Sequence, residues 1–192
     1  MRIGYAKGML AAIFGLIISA NCAGAQPRFF DEVRFGVYQH DTGLIGTQKE
    51  TGIDFAFEGL SRPIILLNLI GSPRLVLGGV VNSLGKTDQL YFGFSKQWDF
   101  VHSVFAPDDA FFLEGVVGGV WHDGKNDVRG TALEADWKSH GSHFLFRTGM
   151  DLGYRFNRTW SLAVSFNHIS NAGLANPNEG MNDIGLRLGM KL

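Results

Sequence analysis

The amino-acid sequence predicts an all-β protein, an eight-stranded antiparallel transmembrane β-barrel of the outer membrane. Three observations support this prediction: a leader-like N-terminus, eight segments with apolar residues at every second position, and a last segment that alternates to the final residue. Alternate apolar positions indicate strands, because successive side chains of a strand point to opposite faces. An even number of strands is typical of bacterial outer-membrane barrels.

The N-terminus has the pattern of a signal peptide. A basic start precedes an apolar stretch, residues 9–20, which is too short to span a bilayer as a stable anchor. The sequence Ala-Gly-Ala at residues 23–25 fits a small-x-small cleavage site. We therefore expect residues 1–25 to be a signal peptide and residues 26–192 to form one outer-membrane β-barrel domain.

The eight predicted strands have the length that a membrane barrel needs. A tilted membrane strand takes about 9–11 residues, whereas a membrane helix takes about 20 apolar residues, which no later segment offers. The predicted strands are residues 32–40, 52–59, 74–83, 89–98, 111–121, 143–156, 159–170 and 181–192.

The alternation also predicts which face of each strand meets lipid. In the last strand, Ile184, Leu186 and Leu188 alternate with Asp183 and Arg187. A soluble sandwich would turn the apolar face inward, and a membrane barrel turns it outward, so alternation alone fits both. The signal peptide and the apolar last strand favour the barrel. The polar face carries both signs of charge, and we expect paired charges to fill the interior without a pore.

Composition limits the expected partners. The chain has 192 residues and a net charge of −1, which suits one domain and gives no reason to expect nucleic acid as a partner. A metal site among His122, Asp123, His140 and His143 is conceivable, but loop histidines without a metal are the favoured interpretation. We therefore predict no metal and no cofactor, with outer-membrane lipid around the barrel and a possible homodimer.

The candidate chemistry lies at the end of the seventh strand. His168 and Ser170 continue the apolar face of this strand, with Cα atoms about 6–7 Å apart, which permits a hydrogen bond between them. Ser170 is then the candidate nucleophile and His168 its general base. By topology the pair lies at the extracellular end, and by parity it faces lipid, so a lipid of the outer leaflet is the expected substrate. The alternative is a non-catalytic small barrel with a structural or adhesive role, in which the pair only begins a loop.

The residues that follow the serine are small. Asn171, Ala172 and Gly173 follow Ser170 directly, and small residues there let backbone N–H groups approach a developing oxyanion, with Asn171 and Gly173 as the named candidates. The run from His168 to Gly173, followed by Pro-Asn and Gly within residues 177–180, resembles the signature of the lipid A 3-O-deacylases, outer-membrane hydrolases of the PagL type. This resemblance covers about fifteen residues closely and the rest of the mature chain more loosely.

The resemblance implies an activity and a set of site residues. The implied activity is that of a carboxylic ester hydrolase that removes the 3-hydroxyacyl chain from the 3-position of lipid A in lipopolysaccharide. His168 and Ser170 match the base and nucleophile of a Ser–His–acid triad, and Asn171 matches the asparagine of the oxyanion region. Phe146 matches an aromatic residue of the substrate groove.

The third member of the triad departs from the family pattern. The family has an acid twelve residues after the serine, and here that position is Asn182. Asn182 shares the face of His168, so its amide oxygen can orient the imidazole, as asparagine does in Cys–His–Asn proteases. The alternative is Glu179 in the preceding loop, since Asp183 is predicted to point into the barrel.

Overall fold

A computed structural model describes residues 29–192, in which eight antiparallel strands close into a barrel in chain order. The predicted signal peptide and its cleavage site lie outside the described residues. In the part of the chain that is described, no helix is long and apolar enough to cross a membrane. The strands are β1 (Phe30–Gln39), β2 (Ile53–Ser61), β3 (Arg74–Asn82), β4 (Gln89–His102), β5 (Ala110–His122), β6 (Phe144–Arg155), β7 (Trp160–Ser170) and β8 (Met181–Lys191).

The two ends of the barrel differ in their joins. We call the end that carries the β1–β2, β3–β4, β5–β6 and β7–β8 joins the upper end, and the opposite one the lower end. The β5–β6 join, residues 123–143, is the longest of the upper joins. At the lower end, the β2–β3 join holds a short 3₁₀ helix (Ile65–Ile70), in which Leu66 and Leu69 are almost fully exposed.

The predicted division into an apolar and a charged face is confirmed. In β8, Leu186 is 53% exposed on the outside of the wall, whereas the neighbouring Arg187 is 3% exposed and points inward. The same alternation holds in β7, where Val164 is outward and Ser165 is buried. A charged interior with an apolar exterior is the inverse of a soluble barrel, so this wall is built to meet lipid.

Paired charges fill the interior, as expected from the two signs on the polar face. Arg34 donates two hydrogen bonds of 2.8 Å to the carboxylate of Glu114. Arg187 donates to Asp151 at 2.7 Å and to the Tyr38 hydroxyl at 2.8 Å. A buried charge is costly unless it is paired and hydrogen-bonded, so these pairs allow charged side chains to pack in the interior.

Glycines make room for the rings that complete this packing. A methyl group on Gly36 would lie 2.4 Å from the ring of Tyr38, and one on Gly78 would lie 2.5 Å from the ring of Tyr91. Each ring therefore lies flat against a strand that has no side chain at that position. The interior of an eight-stranded barrel is only wide enough for side chains, and here it is closed by them.

Candidate active site

His168 and Ser170 lie on the outer side of the wall at the upper end of β7. The odd-numbered residues beside them, Asn167 and Ile169, are buried inside the barrel, whereas His168 and Ser170 are half-buried. The imidazole and the hydroxyl thus leave the same face of one strand, two residues apart. Both side chains line a pocket of about 430 Å³ that opens at this end.

Asn182 stands directly opposite His168 on the neighbouring strand β8. Its Oδ1 atom lies 2.8 Å from Nδ1 of His168, and its Nδ2 atom donates to the carbonyl oxygen of Ile45 at 2.6 Å. Because a carbonyl can only accept, the Ile45 contact fixes the amide with its oxygen toward the imidazole. His168 therefore carries its proton on Nδ1 and leaves the Nε2 lone pair free to act as a base.

The shape of the pocket depends on a glycine in the β7–β8 join. A methyl group on Gly180 would lie 2.8 Å from Cε1 and 3.4 Å from Nε2 of His168. Because Gly180 has no side chain, the imidazole of His168 can pack directly against the loop. The opposite wall of the pocket comes from the β1–β2 join, with Ile45, Gly46 and Lys49.

Glu179 lies in the same pocket but does not contact the imidazole. Its carboxylate accepts a hydrogen bond from Lys49 Nζ at 2.6 Å and one from the backbone N–H of Ser139 at 2.7 Å. Burial opposes ionisation, but these hydrogen bonds outweigh it and lower the pKa of Glu179 below its ordinary value. Its hydrogen bonds thus make Glu179 a connector of three upper loops, and the contact with His168 is made by Asn182.

Asn171 is buried and holds the β7–β8 join together. Its Nδ2 atom lies within hydrogen-bond distance of three carbonyl oxygens, those of His140, Ala175 and Pro177. Its Oδ1 atom accepts from the N–H of Gly173, and its own N–H donates to Asn178. The predicted oxyanion residues Asn171 and Gly173 therefore have their N–H groups bonded within the loop.

The backbone N–H of Ala172 differs from its two neighbours. No partner for it is found between residues 29 and 192, and its residue is exposed. Ala172 has a φ of 53°, in the left-handed region that residues with a side chain rarely adopt. The sequence prediction included Ala172 in the run of small residues but named Asn171 and Gly173, on either side of it, as the candidates.

Phe146 lies opposite Ser170 in the register of β6 and β7. Its ring is 47% exposed on the outside of the wall and lines an apolar groove of about 600 Å³. The groove runs across the outer faces of β3 to β6 and is lined by apolar side chains, among them Leu75, Leu77, Phe92, Phe94 and Phe144. An apolar groove therefore begins beside the Ser170 position and leads away along the wall.

A second cluster of polar groups lies inside the upper end. His40 Nδ1 is 2.8 Å from Asp54 and Nε2 is 3.0 Å from Glu50, and Asp183 lies 3.9 Å away. Burial disfavours the imidazolium, but the bonds to Asp54 and Glu50 outweigh it and raise the pKa of His40 well above its ordinary value. His40, Asp54 and Asp183 have ligand-type atoms within 4.8 Å of one another, but both nitrogens of the imidazole are already engaged by carboxylates. The inward direction of Asp183 agrees with its predicted parity.

The fold and the face assignment define the class: this is an eight-stranded outer-membrane β-barrel with a serine and a histidine on its outer wall. The profile of the family "Lipid A 3-O-deacylase (PagL)" matches residues 82–191, more than half of the chain. The chain belongs to this family. No curated protein matches the chain.

Solved structures are similar to the whole barrel. The crystal structure of the outer membrane enzyme PagL is 16% identical, with a TM-score of 0.59, covering 84% of this chain and 99% of that one. Neisserial surface protein A is 11% identical, with a TM-score of 0.48, covering 85% of this chain and 96% of its own. A de novo designed transmembrane β-barrel is 12% identical, with a TM-score of 0.46, covering 87% and 98%.

Proposed function

We propose that this protein is a lipid A 3-O-deacylase that hydrolyses the ester-linked 3-hydroxyacyl chain at the 3-position of lipid A. The observation that carries the proposal is the position of His168 and Ser170 on the outer wall, beside an apolar groove and next to a fixed Asn182. A polar catalytic set that faces lipid suits a substrate that is itself part of the membrane. Family membership supports the same class of reaction.

In the proposed mechanism, Ser170 Oγ attacks the ester carbonyl while Nε2 of His168 takes the hydroxyl proton. The tetrahedral intermediate then collapses, the bond between the acyl carbon and the sugar oxygen breaks, and His168 gives the proton to that leaving oxygen. A water molecule, deprotonated by His168 in the same way, hydrolyses the acyl-enzyme and releases the 3-hydroxy fatty acid. Asn182 accepts a hydrogen bond from Nδ1–H throughout and stabilises the imidazolium that forms in each step.

The oxyanion needs donors that are not already used. The N–H of Ala172 is exposed and unpartnered in the described chain, so we assign it this role within the loop that begins at Asn171. Asn171 and Gly173 then support the loop that presents this amide. The acyl chain extends along the groove past Phe146, which lies opposite Ser170.

The proposed orientation places the site at the extracellular side. With a periplasmic N-terminus, β1 runs outward and the upper end of the barrel meets the outer leaflet. Lipid A is confined to that leaflet in lipopolysaccharide, so the substrate reaches His168 and Ser170 by lateral movement in the membrane.

The test is mass spectrometry of lipid A from cells that produce the protein and from cells that do not. Loss of the mass of one 3-hydroxyacyl chain is the expected signature. Ser170→Ala removes the nucleophile and should lower the rate by about 10⁴–10⁶. The matched control is Ser161→Ala, at the other end of the same strand and away from the pocket. If heat-modifiable gel mobility shows that Ser170→Ala is folded and it still deacylates at the wild-type rate, the mechanism is wrong.

A further inference from the structure

Two buried imidazoles meet at the upper end, outside the catalytic set. His122 ends β5 and His140 lies in the β5–β6 join, with exposures of 0% and 1%. Their ring centroids are 4.5 Å apart and the rings are inclined by 66°. Neither residue contacts the proposed substrate groove, and the proposed deacylation does not use them.

Backbone carbonyls fix the tautomer of both rings. His122 Nε2 lies 2.7 Å from the carbonyl oxygen of Ser142, and His140 Nδ1 lies 3.1 Å from that of Glu179. A carbonyl only accepts, so each of these nitrogens carries the proton and the other one carries a lone pair.

The two lone pairs have no partner. His122 Nδ1 and His140 Nε2 are both fully buried and make no hydrogen bond within the described residues. The hydroxyl of Thr87 is buried and unpartnered as well. Buried polar atoms without a partner are rare in native proteins, and the two nitrogens here belong to rings whose centroids are only 4.5 Å apart, so they call for a ligand.

Gly124, which has no side chain, lets Thr87 pack close to His122. A methyl group on Gly124 would lie 2.3 Å from Thr87 Oγ1 and 3.2 Å from His122 Nδ1. Glu50 lies beside Thr87, since its carboxylate accepts from the N–H of Thr87 at 3.0 Å. The same Glu50 oxygen lies 3.0 Å from Nε2 of His40.

We propose that His122 Nδ1 and His140 Nε2 bind a divalent transition-metal ion of the Zn²⁺ type, with the Thr87 hydroxyl and solvent completing the coordination. Neutral imidazole is a good ligand for such ions. A ligating histidine commonly donates its other N–H to a backbone carbonyl, as both rings do here. The proposed role of the ion is structural.

The bound ion would stabilise the loop that follows Ser170. The carbonyl oxygen of His140 accepts a hydrogen bond from Asn171 Nδ2 at 2.9 Å, and its ring donates to Glu179 in the same join. An ion held by His122 and His140 would therefore fasten the β5–β6 join to the strand wall, and through it the β7–β8 join. The competing occupant is one water molecule that donates to both nitrogens.

The test uses the full barrel, refolded in detergent with ZnCl₂ present, because the site is buried and is filled most easily during folding. After removal of free metal, we expect about one zinc ion per chain by mass spectrometry of the metal content. CoCl₂ in place of ZnCl₂ should give the visible absorption of a site with nitrogen ligands. Chelator treatment should lower the unfolding temperature of the loaded wild type.

Matched variants assign the site. His122→Gln and His140→Gln should each weaken zinc binding by at least about tenfold. His143→Gln changes an exposed neighbour whose Nδ1 lies 3.1 Å from the carbonyl oxygen of His122 and whose ring stacks on Trp121, and this variant should bind as wild type does. Gly124→Ala leaves both imidazoles in place but displaces the Thr87 hydroxyl, and should also weaken zinc binding.

Two results would overturn the proposal. Wild type without saturable zinc binding would assign the two lone pairs to a buried water molecule, and unchanged binding in the two histidine variants would place the metal elsewhere. If those variants fail to fold, ¹⁵N chemical shifts of His122 and His140 in the wild type decide, since coordination moves the lone-pair nitrogens and a water molecule leaves them in the neutral range.

Discussion

Replacing Asn182 with alanine tests how the imidazole of the proposed active site is held. The substitution removes two hydrogen bonds, the one from His168 Nδ1 at 2.8 Å and the one to the carbonyl oxygen of Ile45 at 2.6 Å. Asn182 is fully buried, so no bulk water replaces either partner directly. Each lost bond should cost about 1 kcal/mol of stability, with a further cost for the orphaned carbonyl.

The effect on the rate should exceed the effect on stability. A hydrogen bond to neutral imidazole contributes about 1 kcal/mol, whereas a bond to the imidazolium of the transition state contributes about 1.5–3 kcal/mol. Without Asn182, the imidazolium loses this extra stabilisation and the neutral His168 ring can adopt either tautomer. Together these effects predict a fall in kcat of about 10–100-fold. The fall of about 10⁴ seen when a serine protease loses its triad carboxylate is the upper limit. KM should change little, because Asn182 does not line the apolar groove.

Deacylation of purified lipid A in detergent, followed by mass spectrometry, measures both constants. Asn182→Asp keeps an acceptor for His168 and should hold or raise kcat, but it cannot donate to Ile45 and should be less stable. Glu179→Gln keeps an acceptor for the N–H of Ser139 and should retain nearly the wild-type rate. Wild-type activity in Asn182→Ala, or an equal collapse in Glu179→Gln, would refute the assignment of Asn182.

Three further outcomes follow from the wall, the interior and the upper loops, each measured by urea unfolding in lipid vesicles. Leu186→Arg should cost about 2–4 kcal/mol, because this outward side chain meets hydrocarbon at mid-strand; a variant as stable as wild type would contradict the face assignment. Arg34→Met should cost about 3–5 kcal/mol by leaving Glu114 charged and unpaired, and adding Glu114→Gln should recover most of the loss. Burial, with Asp123 nearby, raises the pKa of Asp88 from 3.8 to about 6, so its ionised form destabilises the fold above that pH. Asp88→Asn should therefore add about 1 kcal/mol at pH 8, an advantage that shrinks as the pH falls toward 3.8; a gain that does not depend on pH would exclude this cause.

Period-two alternation was sufficient to predict the strand number and both faces of the wall. Alternation shows to which face of the strand a side chain points, and in a closed barrel that face depends only on the position of the residue within its own strand. The ends of strands were less predictable: β4 was expected to stop at residue 98 and extends to His102. The extension depends on pairing with β5, where Val101 lies opposite Phe111 after a bulge at Asp99, and no local pattern signals that partner.

The proposed catalytic set could be predicted from the sequence because it depends on one pair of adjacent strands. Parity placed Asn182 on the face of His168, and the structure joins them across β7 and β8. The contacts that hold this pair come from elsewhere. The Ile45 carbonyl and the bonds of Asn171 to the β5–β6 join connect loops more than 25 residues apart, and their geometry depends on how the loops pack together.

The outward direction of His168 and Ser170 decides how substrate concentration must be counted. A site that opens sideways into a membrane meets its substrate by diffusion in two dimensions, so the relevant quantity is the mole fraction of lipid A in the surface. Adding inert detergent at constant total lipid A should then slow the reaction, although the amount of substrate in the tube is unchanged. An inhibitor of such a site acts in proportion to the fraction of it that partitions into the bilayer. An affinity calculated from its concentration in water therefore understates how tightly the site binds an inhibitor that stays in water and overstates it for one that concentrates in the bilayer.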